Sequence, residues 1–224
     1  MGAFVAIAAT LATLPTHAEF VTDPAHDFLG RGPPNGDMDA LSAEVTFNPW
    51  TNTFTFTATV DGPIGTTAGG AWVWGLDRGA GVYFDAPAPF LGRRIGFDSL
   101  VLLFADQTGS FLDIVAGTGP QSLAPGSVKV SGNTITVTVS LGMLPSEGLA
   151  AQNYTWNFWP ESALFDPRYI SDLAPDARMA TLTIVPEPSS LLATVAGLVA
   201  LLMARKANKE TANKQTANKQ TMAA

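Results

Sequence analysis

A chain of 224 residues with no cysteine and two histidines has no disulfide framework and no thiolate chemistry, and it has little material for a zinc site or an imidazole base. Charged residues make up 14% and the net charge is −7, while 21 Gly and 16 Pro demand many turns and so favour short strands over long helices. The acidity lies in residues 19–185, where 17 Asp and Glu face 7 Lys and Arg, and such a surface repels nucleic acid and anionic headgroups while suiting Ca²⁺.

Residues 1–18, "MGAFVAIAATLATLPTHA", are apolar and small and finish in Thr16-His17-Ala18. Small residues at 16 and 18 predict a secretory leader cleaved after Ala18, although no Lys or Arg precedes the apolar region; the alternative is a first buried strand or helix.

From residue 41 the period is two. In "LSAEVTF", Leu41, Ala43, Val45 and Phe47 alternate with Ser42, Glu44 and Thr46, and the turn "NPWTN" follows. In "TFTFTATV", Phe54, Phe56, Ala58 and Val60 face one way and threonines the other. "AWVWGL", "GVYF", "FLDIV", "YTWNFW" and "ATLTIV" read as further strands, and the continuous run "SLVLLFA" (99–105) predicts a central strand covered on both faces. "VKVSGNTITVTVSL" reads as a hairpin about Ser131-Gly132-Asn133 with Ile135, Val137 and Val139 inward. Helical signal is scarce, with one short turn expected over Leu144–Ala151. The nine or ten strands predict an all-β fold, an antiparallel β-sandwich of immunoglobulin or jelly-roll type.

Residues 189–204 carry no charge and are rich in Leu, Val and Ala, predicting a single hydrophobic helix. Sixteen residues rise about 24 Å, near the ~30 Å of a hydrocarbon core. Pro186 and Pro188 stand ahead of that helix, and Arg205 and Lys206 behind it predict a cytoplasmic C-terminal end. The tail 207–224 repeats Thr-Ala-Asn-Lys-Gln, a polar, low-complexity composition that predicts disorder.

"VPEP", the apolar run and the basic pair together resemble the PEP-CTERM sorting signal of Gram-negative bacteria over residues 185–206. The resemblance implies that Pro186, Glu187 and Pro188 are recognised by an exosortase-type membrane transpeptidase and that Arg205 and Lys206 are the stop. It further implies an exported protein that passes through a single-pass inner-membrane intermediate to the cell surface or medium, often tied to extracellular polysaccharide. "NGDMDALSAEVTF", "AWVWGLDRG", "IGFDSLVLL" and "YTWNFWPES" are also similar to family 9 carbohydrate-binding and DOMON-like sandwiches. The expected organisation is leader 1–18, ectodomain 19–185, sorting signal with membrane helix 186–206 and tail 207–224.

Candidate site residues come from aromatics and carboxylates. Trp72, Trp74, Tyr154, Trp156 and Phe158 recur at spacing two, which suits a sandwich core, while Trp159 falls on the opposite face from Trp156. Trp50, in a turn, and Trp159, before Pro160, are the candidate sugar contacts, with burial the competing reading for each. Asp37, Asp39, Asp77, Asp98, Asp172 and Asp176 sit at strand ends or loops, where they either hold Ca²⁺ or cap turns through the backbone. No spacing brings two of Glu44, Glu147 and Glu161 into a catalytic pair. A serine triad would depend on His26 without a G-x-S-x-G elbow, so a non-enzymatic role is expected. The ectodomain is read as structural or adhesive, with a carbohydrate-binding module as the alternative and a secreted hydrolase behind it.

Overall fold

The computed structural model describes residues 19–29, 33–83, 95–185, 197–206 and 209. Residues Met1–Val185 form one compact unit and Pro186–Ala224 another.

Within the first unit the alternating segments become strands that pair largely with their neighbours in sequence. One sheet holds β1 (Val21–Thr22), β2 (Ala40–Asn48), β3 (Thr53–Val60), β11 (Thr134–Ser140) and β10 (Val128–Ser131) in that order, and β14 (Thr183–Ile184) adds to β2. The other runs β13 (Ala180–Thr181), β12 (Thr155–Glu161), β4 (Ala71–Asp77), β7 (Ser99–Phe104), β8 (Gly109–Asp113) and β9 (Gln121–Ser122). A two-stranded ribbon, β5 (Val82–Tyr83) with β6 (Gly96–Phe97), completes the set. The all-β expectation is met, and every pairing is antiparallel except β14 with β2.

The two large sheets pack face to face because each offers one apolar face. Ala43, Val45, Phe47, Phe54, Phe56, Ile135 and Val137 meet Trp72, Trp74, Val101, Phe111, Trp156 and Phe158 in one buried cluster. Phe54 stacks on Tyr154 at 5.6 Å, and Phe56 meets Trp74 edge-on at 5.8 Å. The core reading of Trp72, Trp74 and Trp156 therefore holds. β7 is buried on both faces, as its unbroken apolar run predicted, because Val73, Leu100, Leu102, Trp159, Ile170 and Leu173 form a second cluster.

The turns follow their side chains. Asn48 Oδ1 accepts from the amides of Trp50 and Thr51, at 2.9 and 3.3 Å, and turns β2 into β3. Gly132, at φ 63°, makes the β10–β11 hairpin, and Asn133 Nδ2 donates to Val60 O at 2.8 Å.

Two expectations need correction. "ATLTIV" is two strands, since the chain changes sheets at buried Leu182, so that β13 joins β12 and β14 joins β2. The turn expected over Leu144–Ala151 is replaced by short 3-10 turns at Leu141–Met143 and Ala151–Asn153. In the second unit the described residues 197–206, Arg205 and Lys206 among them, are helical (α1), within the expected 189–204 run and just past it. No helix among the described residues is long and apolar enough to cross a membrane. Ala18, the triplet Pro186-Glu187-Pro188, the start of the apolar run and most of the tail lie outside the described residues.

Candidate metal centre

The six aspartates singled out in the sequence divide into two groups. Asp37 is consumed by the loop after β3: it accepts from Thr67 N and Oγ1, at 2.7 and 2.6 Å, and from Gly65 N at 3.2 Å. Asp77 caps the turn after β4 by accepting from Gly79 and Gly81. Asp98 belongs to buried Arg78, taking its Nε at 2.8 Å and its amide at 2.7 Å. The Arg78 guanidinium also lies 2.9 Å from Asp113, donates to Pro145 O at 2.9 Å and covers the Phe111 ring at 5.5 Å. These three aspartates are structural.

Asp39, Asp172 and Asp176 converge instead, together with Asp23 and Asp27, which sequence reading passed over. The N-terminal segment is pinned along the start of β2, with Asp23 N donating to Leu41 O at 2.9 Å and Leu29 N to Ser171 O at 2.9 Å. That track puts Asp23 and Asp27 beside Asp172, and one carboxylate oxygen from each lies within 4.8 Å of the others. Asp172 is fully buried and oriented by two amides, Ala40 N to Oδ2 at 2.7 Å and Leu173 N to Oδ1 at 2.9 Å. Asp39 is also fully buried. Its Oδ2 accepts from His26 N at 2.8 Å, while its Oδ1 is buried with no hydrogen-bond partner, as is Asp23 Oδ2.

The electrostatics record an uncompensated group. Burial, followed by repulsion from Asp172, Asp27 and Asp176, pushes Asp23 up to about 8. Burial pushes Asp172 up to about 7 against its two amide hydrogen bonds, with Asp27 and Asp39 adding repulsion. Asp39 and Asp176 are raised by burial too, each with a contribution from Asp27. Among the described residues no Lys or Arg forms an ion pair with any of the five; Arg78, Arg168 and Arg178 pair elsewhere. The His26 ring lies 3.4 Å from Asp39 and 3.9 Å from Asp61.

The other candidates are not brought together. Trp50 is 50% exposed in the β2–β3 turn, but Trp159 is 3% exposed, which corrects the expected sugar contact. Trp159 lies on the outer face of its sheet, as the alternation predicted, yet Phe97 covers it at 5.3 Å and Gly75 leaves room beneath it. Exposed aromatics appear instead at Phe165 and Tyr169, in the loop after β12. Glu44 projects from β2, Glu147 faces Arg78, and Glu161 is buried beside Trp159 Nε1 at 3.4 Å. These glutamates sit on separate parts of the fold, and His26 faces aspartates, so neither a carboxylate pair nor a serine triad is assembled among these residues.

The outward face of the first sheet is a regular hydroxyl grid. Cross-strand rows read Thr46–Thr55–Thr138, Glu44–Thr57–Thr136 and Ser42–Thr59–Thr134. Neighbouring hydroxyls meet at 3.2–3.4 Å along the β3–β11 seam. No protein-family model and no curated protein matches this chain.

Proposed function

We propose that the chain is an exported cell-envelope or extracellular-matrix protein, sorted through a PEP-CTERM signal, whose β-sandwich ectodomain is structural or adhesive. The observation that supports this reading best is the threonine face of the first sheet. Its charges, Glu44 and Lys129, have opposite signs at the two ends of one row, and its hydroxyls stand at strand spacing, about 4.8 Å across the sheet. Such a surface adheres to polyhydroxylated matrix through many weak hydrogen bonds and takes no penalty from the domain's negative charge.

The sorting part rests on sequence and on where the folded unit stops. The first compact unit ends at Val185, whose amide bonds Phe47 O at 2.9 Å, and the Pro-Glu-Pro triplet begins the next unit. Leu198, Val199, Leu201, Leu202 and Met203 of α1 are all exposed, as a helix that belongs in lipid would leave them. An exosortase-type membrane protein is the partner this reading requires.

The test changes one charge. Glu187→Gln keeps length, apolar content and topology, so a plain membrane anchor is unaffected, whereas a sorting signal fails. In a host with the matching exosortase, mass spectrometry of the mature protein should show a processed C-terminus for wild type and an intact one for the variant. The same C-terminus in both, intact or processed, removes the sorting reading.

A carbohydrate-binding module is the second reading, favoured by Phe165 and Tyr169, 59% and 42% exposed on one loop, with Phe165 held at φ 62°. Replacing both by Ala should abolish retardation in a polysaccharide affinity gel if that loop is the stacking platform.

A further inference from the structure

We propose that Glu161 and the loop 162–169 form a pH-sensitive latch, in which the protonated carboxyl holds the loop closed and its ionisation lets the loop open. Glu161 ends β12 and is 5% exposed, because the chain folds back over it and forms a bridge from Glu161 to Ile170. The base of the loop is tied firmly. Ser162 N donates to Tyr169 O at 3.1 Å, and Ser171 N and Oγ donate to Pro160 O at 3.1 and 2.9 Å.

The middle of the loop is tied through the carboxyl, which accepts from the Phe165 amide and, at a long 3.4 Å, from Trp159 Nε1. Presenting that amide holds Phe165 at φ 62°, a left-handed backbone that a bulky side chain adopts only under strain. Two neutral donors suit a neutral carboxyl, but they leave a buried carboxylate poorly compensated. The surrounding charges do not help. Asp166 in the loop repels Glu161, Arg168 is occupied by Asp166 at 2.7 Å, and the cross-strand neighbour on β4 is Ala71. Among the described residues no Lys, Arg or His forms an ion pair with Glu161.

Burial under the closed loop pushes this carboxyl up from 4.5 to about 7, and opening returns it to water and to its ordinary value. Ionisation therefore favours the open form. The open-to-closed ratio is constant below about pH 4.5, rises about tenfold per pH unit, and levels off about 300-fold higher above pH 7. The side chains that the latch positions are Leu164, Phe165 and Tyr169, all exposed. The latch stands whether or not that loop contacts sugar.

Hydrogen exchange of the full chain in mild detergent, read by mass spectrometry from pH 5 to pH 8 and corrected for the intrinsic amide rate, tests the latch. Protection of the peptide 160–171 should fall by roughly 50-fold over that range. The peptide 53–60, in β3, should keep its protection, and in Glu161→Gln the loop should stay protected throughout. If the variant does not fold, the comparison of the two wild-type peptides decides alone. Loop protection that ignores pH, an equal fall in both peptides, or the same fall in Glu161→Gln each overturns the latch.

Discussion

Two groups of buried carboxylates lie in the same two-sheet domain and behave in opposite ways. Around Arg78, Asp98 and Asp113 are paired to a guanidinium. Burial alone would raise Asp113, yet the amide of Ala116 and the Arg78 charge hold it below the usual carboxylate range. Around Asp172, carboxylates face one another and are pushed up to about 7 and 8. Burial acts in the same direction in both places. What separates them is the partner: a permanent cation in the first group, and in the second backbone amides, an exposed imidazole and the carboxyl contact of Asp23 with Asp172.

Arg78→Met should leave two buried carboxylates without a cation and cost about 3–5 kcal/mol in chemical denaturation. A cost below 1 kcal/mol would mean the guanidinium is not what compensates them. Next comes Glu161, where burial is the largest cause and repulsion, from Asp166, the smallest. Burial pushes it up to about 7 from 4.5, with the Trp159 indole only partly opposing the shift. The folded protein holds this proton more tightly than the unfolded chain. Stability from it is therefore complete below about pH 4.5 and is lost as the pH rises through about 7. The loss is on the order of 3 kcal/mol, and in Glu161→Gln this part of the pH dependence should vanish from urea melts taken between pH 4 and 8.

A smaller effect sharpens the other side of the comparison. In EDTA, Asp27→Asn should stabilise the protein by up to about 1 kcal/mol, because it relieves like-charge repulsion at the edge of the group. A variant that is less stable argues against repulsion. Smallest of all, Thr57→Val on the hydroxyl grid should change stability by no more than about 0.5 kcal/mol. Its effect belongs in co-sedimentation with matrix polysaccharide, where retention should fall if the grid is adhesive.

Much of this fold was legible because a half-buried strand writes its burial into every second residue. Thr53 to Val60 alternate, and the strand with the same limits is found. The two-residue strands β1 and β9 carry no period long enough to read. Trp159 shows a finer limit. Alternation placed it on the correct face, but only the chain crossing over that face, at 95–97 and 170–173, buries it. The carboxylate group was half legible. Asp39 and Asp172 stood out at strand ends, whereas Asp23 and Asp27 lie in a segment with no periodic signal, brought into place by pairing that sequence spacing does not reveal.

The edge of β2 has a mechanical consequence. β1 and β14 occupy that one edge and run in opposite directions along it, and Glu19 N reaches Thr183 Oγ1 at 3.2 Å. A pull delivered through residue 186 therefore falls first on β14, two residues long, and not on the long ladders at the centre of the sheet. Under tension β14 should peel before the stack parts, acting as a fuse. Its release uncovers the edge of β2 at Thr46 and Phe47, which a strand from a neighbouring copy could then fill.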